Sequence, residues 1–276
     1  MYVNIKLGKL MCFRCGWSAK TLEGLCRKLG IAVSTDLSTW DEAVRSLIEG
    51  STTQAEYERD DPPEPTGLPP CVPIDPCSRA AHYLSHRGFD QAAAEFFGLR
   101  AGIGKIEDRI VIPTFDVAGK AVYWVARACG PKAYGPKYMN PPGSHVRFHV
   151  FNLRSVLGAI ECRINEGPMS GMASGRYGTA TFGKHMSRQQ EAAYVAAKCG
   201  RYVVAYDGTA RIATLNTAEK LREDGLDVWI AAFPNVEERK DPASMPLADR
   251  EAIYAAARPY SLETRLQIRA EMLLAA

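Results

Sequence analysis

Long apolar runs are missing from this 276-residue chain. None approaches the roughly 18 consecutive apolar residues that a membrane-spanning helix needs, so no membrane partner is read. The opening stretch MYVNIKLGKLMCFRCGWSAK lacks a basic segment followed by an apolar one, so no secretory leader is read there. A strong charge of one sign is missing too: 34 Lys and Arg face 31 Asp and Glu, and a net charge of +3 diagnoses no partner by itself. No G-x-x-x-x-G-K-[ST] segment occurs, which excludes a helicase or other P-loop motor within this sequence. No internal repeat is found. Eight cysteines without a leader read as reduced thiols or metal ligands in a cytoplasm, not as a disulfide framework.

What is present is unevenly distributed. Residues 51–77 hold six acids, one Arg and seven prolines, whereas residues 99–154 hold nine Lys and Arg against three acids. An acidic, proline-rich linker followed by a basic stretch implies two units, the second facing an anionic partner. Solvation of an ordinary basic face is the plainer alternative.

Periodicity supplies the elements. YVNIKL and LMCFRC form a hairpin around Gly8-Lys9, and TLEGLCRKLGI and TWDEAVRSLIEG read as short helices. SRAAHYLSHRGFDQAAAEFF reads as two helices broken at Gly88, with Asp90 capping the second and His82 and His86 facing solvent. RIVIPTFD and KAVYWVARAC flank Gly119 as a second hairpin. From about residue 155, strands alternate with helices: GAIECRINEG, YGTATFG, YVVAYDG and DVWIAAFP are strands. SRQQEAAYVAAKCG is a helix with a Ser187/Gln190 capping box closed by Gly200, and ATLNTAEKLREDG is another. The fold class is therefore α/β, α+β overall, with a parallel sheet in its second half. SLETRLQIRAEMLLA closes the pattern as a helix capped by Ser261.

Glu166, Asp207 and Asp241 fall at or just after strand ends, where open α/β sheets gather their ligands. Singly, each reads as a cap or a turn residue. Together, beside a basic segment, three carboxylates need a cation between them, and oxygen-only ligands suit Mg²⁺ or Mn²⁺.

In order along the chain, AAHYLSHRGFDQAAAEFFGLRAG, DRIVIPTFDVAGKAVYWVARA, PKYMNPPGSHVRF, INEG, VVAYDGTA and ERKDPA resemble the DnaG-type primases of bacteria and their phages. The resemblance implies a partial zinc ribbon with helices over 1–50, the linker at 51–77, and a basic subdomain over 78–154. It further implies a Toprim domain over 155–245 and short C-terminal helices over 246–276. It implies that Glu166 is the general acid/base or metal-organising carboxylate and that Asp207 and Asp241 are Mg²⁺ or Mn²⁺ ligands. Arg109, Arg127, Lys137, Tyr138, Asn140 and Arg147 would hold single-stranded DNA template and ribonucleoside triphosphates. The activity implied is synthesis of short RNA primers in the cytoplasm, that of a bacterial host if the chain is phage-encoded, with a separate replicative helicase as partner.

Cys12 and Cys15 in CFRCG supply half of a zinc site; Zn²⁺ is expected only where the other ligand pair is supplied. Met1 stands where the middle of the ribbon falls in such primases. A misplaced start, a lost half-site and zinc shared between two chains are the open readings. Two residues depart from the pattern: Thr209 replaces the second acid of D-x-D, and Ser170 stands where an Asp is common. A nucleic-acid-binding or replisome-interaction protein with weakened catalysis is therefore the rival, and a Toprim nuclease a more distant one.

Overall fold

The computed structural model describes residues 2–4, 9–11, 18–19, 64–65, 67–143, 146–234 and 241–274. Two compact units result, one formed by Met1–Glu64 with Asn140–His145 and one by Pro65–Met139 with Val146–Ala276. In the first unit, β1 (Tyr2–Asn4), β2 (Lys9–Met11) and β3 (Ser18–Ala19) form an antiparallel sheet, with Tyr2 opposite Met11 as the N-terminal hairpin requires. Cys12, Cys15, Cys26, Phe13, Trp17 and both helices expected before residue 51 lie outside the described residues.

The second unit contains two five-stranded sheets. The first is antiparallel throughout, in the order β4 (Cys71–Pro73), β5 (Arg100–Gly102), β6 (Arg109–Phe115), β7 (Ala121–Ala128), β8 (Tyr138–Met139). Strand β4 comes from the stretch read as linker; its Pro73 is tolerated because an edge strand needs donors on one side only. In the β6–β7 hairpin, Asp116 Oδ1 accepts the Lys120 N–H at 2.8 Å, and Gly119 takes the left-handed backbone that the turn demands. Helix α1 (Arg79–His86) is capped by the Ser78 hydroxyl and α2 (Gln91–Phe96) by Asp90, on either side of Gly88 as expected. Leu84, Phe89, Ala94 and Phe97 pack with Ile110, Ile112, Tyr123 and Val125, so both helices cover one face of this sheet. His82 and His86 are exposed on α1, with His82 Nδ1 3.0 Å from the Ser78 carbonyl.

The second sheet runs β10 (Gly178–Ala180), β9 (Cys162–Asn165), β11 (Tyr202–Val204), β12 (Val228–Ile230), β13 (Arg258–Pro259). The first four strands are parallel, and β13 joins antiparallel at the edge. Five helices accompany it: α3 (Pro168–Ala173), α4 (Arg188–Ala197), α5 (Arg211–Glu223), α6 (Leu247–Ala255) and α7 (Leu262–Leu274). Tyr202, Val204 and Tyr206 pack with Tyr194, Leu215 and Ile268; Val203 and Ala205 pack with Ala231, Phe233 and Tyr254. Alternate residues of YVVAY thus enter opposite cores, as a parallel strand covered on both faces requires.

The Ser187/Gln190 capping box is present on α4, but Gly200 does not close that helix. Lys198 does so in the left-handed conformation. Gly200 instead runs against β9's approach, where a Cβ would lie 2.8 Å from the Ile160 carbonyl oxygen. Ser261 caps α7 through the Thr264 N–H at 3.1 Å. No described helix is long and apolar enough to cross a membrane.

Candidate active site

Strands β9 and β11 are parallel neighbours in register, with Ile164 opposite Val204 and the Ala205 N–H donating to the Ile164 carbonyl at 2.8 Å. Glu166 follows the end of β9 by one residue and Asp207 follows the end of β11 by three, so both emerge at the carboxyl edge of the sheet. Asp241 opens the 3-10 turn Pro242–Ser244, which packs against α3, the helix that begins directly after Glu166-Gly167. The Ser244 hydroxyl donates to the Asp241 carbonyl at 2.8 Å and fixes that turn.

The carboxylates are not alike. Glu166 is half-buried, its Oε2 is buried with no hydrogen-bond partner among the described residues, and burial pushes its carboxyl above the usual range. Lys184 and His185 pull it back down, while Asp241 pushes it up. Asp241 Oδ1 is likewise buried without a hydrogen-bond partner among the described residues. Glu166 and Asp241 are thus brought within electrostatic reach of each other, each with an orphaned oxygen. Two unpaired carboxylate oxygens are a costly arrangement unless a cation takes them up, so this donor set fits a hard divalent ion. Asp207 lies three residues past the neighbouring strand β11, and among the described residues no three acids, His or Cys close into a finished metal cage.

Asp207 is placed by its neighbour. A Cβ on Gly208 would lie 2.1 Å from the Pro234 carbonyl oxygen, so the turn after β11 can press against Phe233-Pro234 only with glycine there. Thr209 is exposed in the same turn. Ser170 is 7% exposed on α3, and its carbonyl accepts the Ser174 hydroxyl at 2.8 Å.

A buried network missed at the level of sequence holds the Glu166 segment. Asn165 donates to the carbonyls of Arg163 and Thr179 at 3.0 and 3.1 Å and accepts from the Ser174 hydroxyl at 3.0 Å. The Ser174 hydroxyl also meets the Tyr254 hydroxyl from α6. The available signal was a polar Asn at the end of strand β9, after the buried Ile164. Lys184 and His185 were missed as well; they lie in a loop with no motif.

The basic segment is more buried than its composition suggests. Arg109 is 1% exposed, donating to the carbonyls of Ala126 at 3.1 Å and Tyr134 at 2.6 Å, so its guanidinium braces the loop before β8 and does not face solvent. Arg127 is 7% exposed, bonds the Tyr83 hydroxyl at 3.0 Å, and lies 4.9 Å over the Tyr138 ring. Burial raises the Tyr138 phenol, partly offset by that guanidinium. Arg147 is 7% exposed, stacked 4.8 Å over Phe148. Lys137 is exposed, and Asn140 groups with the first unit.

No protein-family model matches this chain, and no curated protein matches it. Solved structures do. A crystal structure of the Aquifex aeolicus primase, comprising zinc-binding and RNA polymerase domains, aligns over 99% of this chain and 78% of its own, at 17% identity and TM-score 0.58. A DnaG primase catalytic domain bound to ssDNA aligns over 67% and 74%, at 19% identity and TM-score 0.56. A primase domain from Pseudomonas aeruginosa aligns over 66% and 73%, at 22% identity and TM-score 0.52. The chain has the mixed α/β fold of DnaG primase cores.

Proposed function

We propose that this protein is a DNA primase, a template-directed nucleotidyltransferase that makes short RNA primers on single-stranded DNA. The observation that carries the reading is the pair of orphaned oxygens on Glu166, just past β9, and Asp241, on the turn packed against α3, with Asp207 three residues past the adjoining strand β11. Mg²⁺ or Mn²⁺ bound there would screen the triphosphate and favour attack of a 3′-hydroxyl on the α-phosphate. The chain's own part is positional. Gly208 fixes Asp207, the Asn165–Ser174–Tyr254 network fixes Glu166, and α3 backs the Asp241 turn. Half-burial of Glu166 keeps solvent from competing for its oxygens. Lys137 and the Tyr138 ring offer a phosphate contact and a base-stacking face to template, and Arg127 sets the ring. Zn²⁺ at Cys12 and Cys15 and a separate helicase belong to the same proposal.

The test is ribonucleotide incorporation on mixed single-stranded DNA with Mg²⁺ or Mn²⁺. Labelled oligomers from the parent and none from Asp207→Ala are the expected result. Thr209 and Ser170 favour a second reading, a nucleic-acid-binding module with weakened catalysis. If the parent is silent and Thr209→Asp does not rescue it, that second reading stands.

A further inference from the structure

The turn after β10 carries Lys184 and His185 beside the Glu166 segment. Strand β10 pairs β9 with Ala180 opposite Asn165, and the Thr181 N–H donates to the Asn165 carbonyl at 3.1 Å. The Thr181 hydroxyl donates to the Gly183 carbonyl at 2.8 Å and lies 3.1 Å from the Tyr206 hydroxyl on the segment leading to Asp207. Phe182 takes a left-handed backbone at φ 59° and packs edge-on to Tyr123 at 5.1 Å. Met186 is buried beyond, and Ser187 then caps α4. A non-glycine residue in that conformation persists only where its surroundings over-determine it, and here both sheets do so. The turn is anchored to Asn165, directly before Glu166, and to Tyr206, directly before Asp207. Lys184 and His185 are its exposed tip. Lys184 has no hydrogen bond or ion pair to a described residue, although Glu166 lies within its electrostatic reach.

We propose that Lys184 is an anion-binding residue of this site, gripping the polyphosphate whose other oxygens reach a cation held at Glu166 and Asp241. A site with Thr209 and Ser170 in place of acids has few anionic ligands to recruit further divalent ions, whereas a polyphosphate brings several negative charges. A flexible ammonium on a fixed turn answers that excess, because Lys binds phosphate as a point charge without demanding a fixed approach. A divalent cation held at the carboxylates would offset their negative charge and leave the ammonium to the phosphate. Naming the anion as a nucleoside triphosphate rests on the primase reading; the anion site itself does not.

Calorimetric titration of the full chain tests this with MgCl₂ alone, with inorganic tripolyphosphate plus MgCl₂, and with ATP plus MgCl₂. The variants are Lys184→Gln and Lys184→Arg, each first checked for native circular dichroism. Lys184→Gln is expected to lose about tenfold or more in affinity for both polyphosphates, with Lys184→Arg within about threefold of the parent. Binding of Mg²⁺ alone should be unchanged or tighter in Lys184→Gln. Equal polyphosphate affinity in parent and Lys184→Gln overturns the proposal. So does a loss confined to Mg²⁺ alone, which would make Lys184 a partner of the carboxylates only. A parent that binds neither polyphosphate also overturns it, while the primase reading is still decided by primer synthesis. Tripolyphosphate binding with no ATP binding keeps the anion site and removes the nucleotide from it.

Discussion

Gly208 shows how one missing side chain places a functional one. Its would-be Cβ meets carbonyl oxygens of Pro234 and Phe233, and backbone atoms cannot rotate aside as the tip of a long side chain can. Gly208→Ala is therefore expected to cost about 1–3 kcal/mol in urea unfolding and to reduce ribonucleotide incorporation together with stability. Thr209→Ala, on the exposed next residue, should stay within about 0.5 kcal/mol of the parent. His149 carries a different residue-scale prediction. Its ring stacks on Tyr123 at 4.7 Å, its Nε2 is buried without a partner among the described residues, and burial drops its pKa to about 4. The unfolded chain takes up a proton near the ordinary histidine value while the folded chain refuses it until about pH 4. Stability from this group is therefore complete above about pH 6.5 and lost as pH falls, by about 2 kcal/mol at about pH 5 and roughly 3 kcal/mol at about pH 4. His149→Phe keeps a ring against Tyr123 and should flatten that part of the pH profile; an unchanged slope would place the titration elsewhere.

Among elements, α4 binds the two halves of the second unit. Ser187 accepts the Gln190 N–H at 3.1 Å and donates to the Arg147 carbonyl at 2.6 Å, while Gln190 donates to the carbonyls of His149 and Thr181 at 2.8 and 2.9 Å. Ser187→Ala removes the cap and the link together, so a loss of about 1–2 kcal/mol is expected in urea unfolding, with Ser187→Thr recovering most of it. The cap was legible in the sequence because capping is local: Ser and Gln three apart suffice. The end of the same helix was not, because Gly200 answers to Ile160, a residue on another strand's approach. Strands β4 and β13 escaped for a related reason: they are three and two residues long, each contains Pro, and only their partners make them strands. Glu166 and Asp207 stood out because each follows the end of a strand of the parallel sheet. The Asn165–Ser174–Tyr254 network did not, since its Ser174–Tyr254 bond joins residues 80 positions apart. Arg109, Arg127 and Arg147 were identifiable as the charged residues of a basic segment, but their burial depends on carbonyls and rings brought together by folding.

That burial changes what the whole molecule can do with its positive charge. Each Lys or Arg that meets a phosphate of single-stranded DNA releases counterions and adds about 0.7 to the slope of log affinity against log salt. Exposed Lys137 can act in this way; a guanidinium that is 1% exposed and donates to two carbonyls, like that of Arg109, cannot without leaving its place. On the primase reading, Lys137→Ala should therefore lower the magnitude of the salt slope by about 0.7. Arg109→Gln should behave oppositely. With the Ala126 and Tyr134 carbonyls losing a charged donor, stability should fall by about 1.5–3 kcal/mol and the loop before β8 should spend less time in its binding conformation. A reduced competent population weakens binding by one factor at every salt concentration, so the plot shifts down without changing slope. Fluorescence anisotropy of a labelled single-stranded oligonucleotide across a salt series separates the two effects. If Arg109→Gln flattens the slope as Lys137→Ala does, the guanidinium reaches phosphate in the complex, and the buried arrangement gives way when DNA binds.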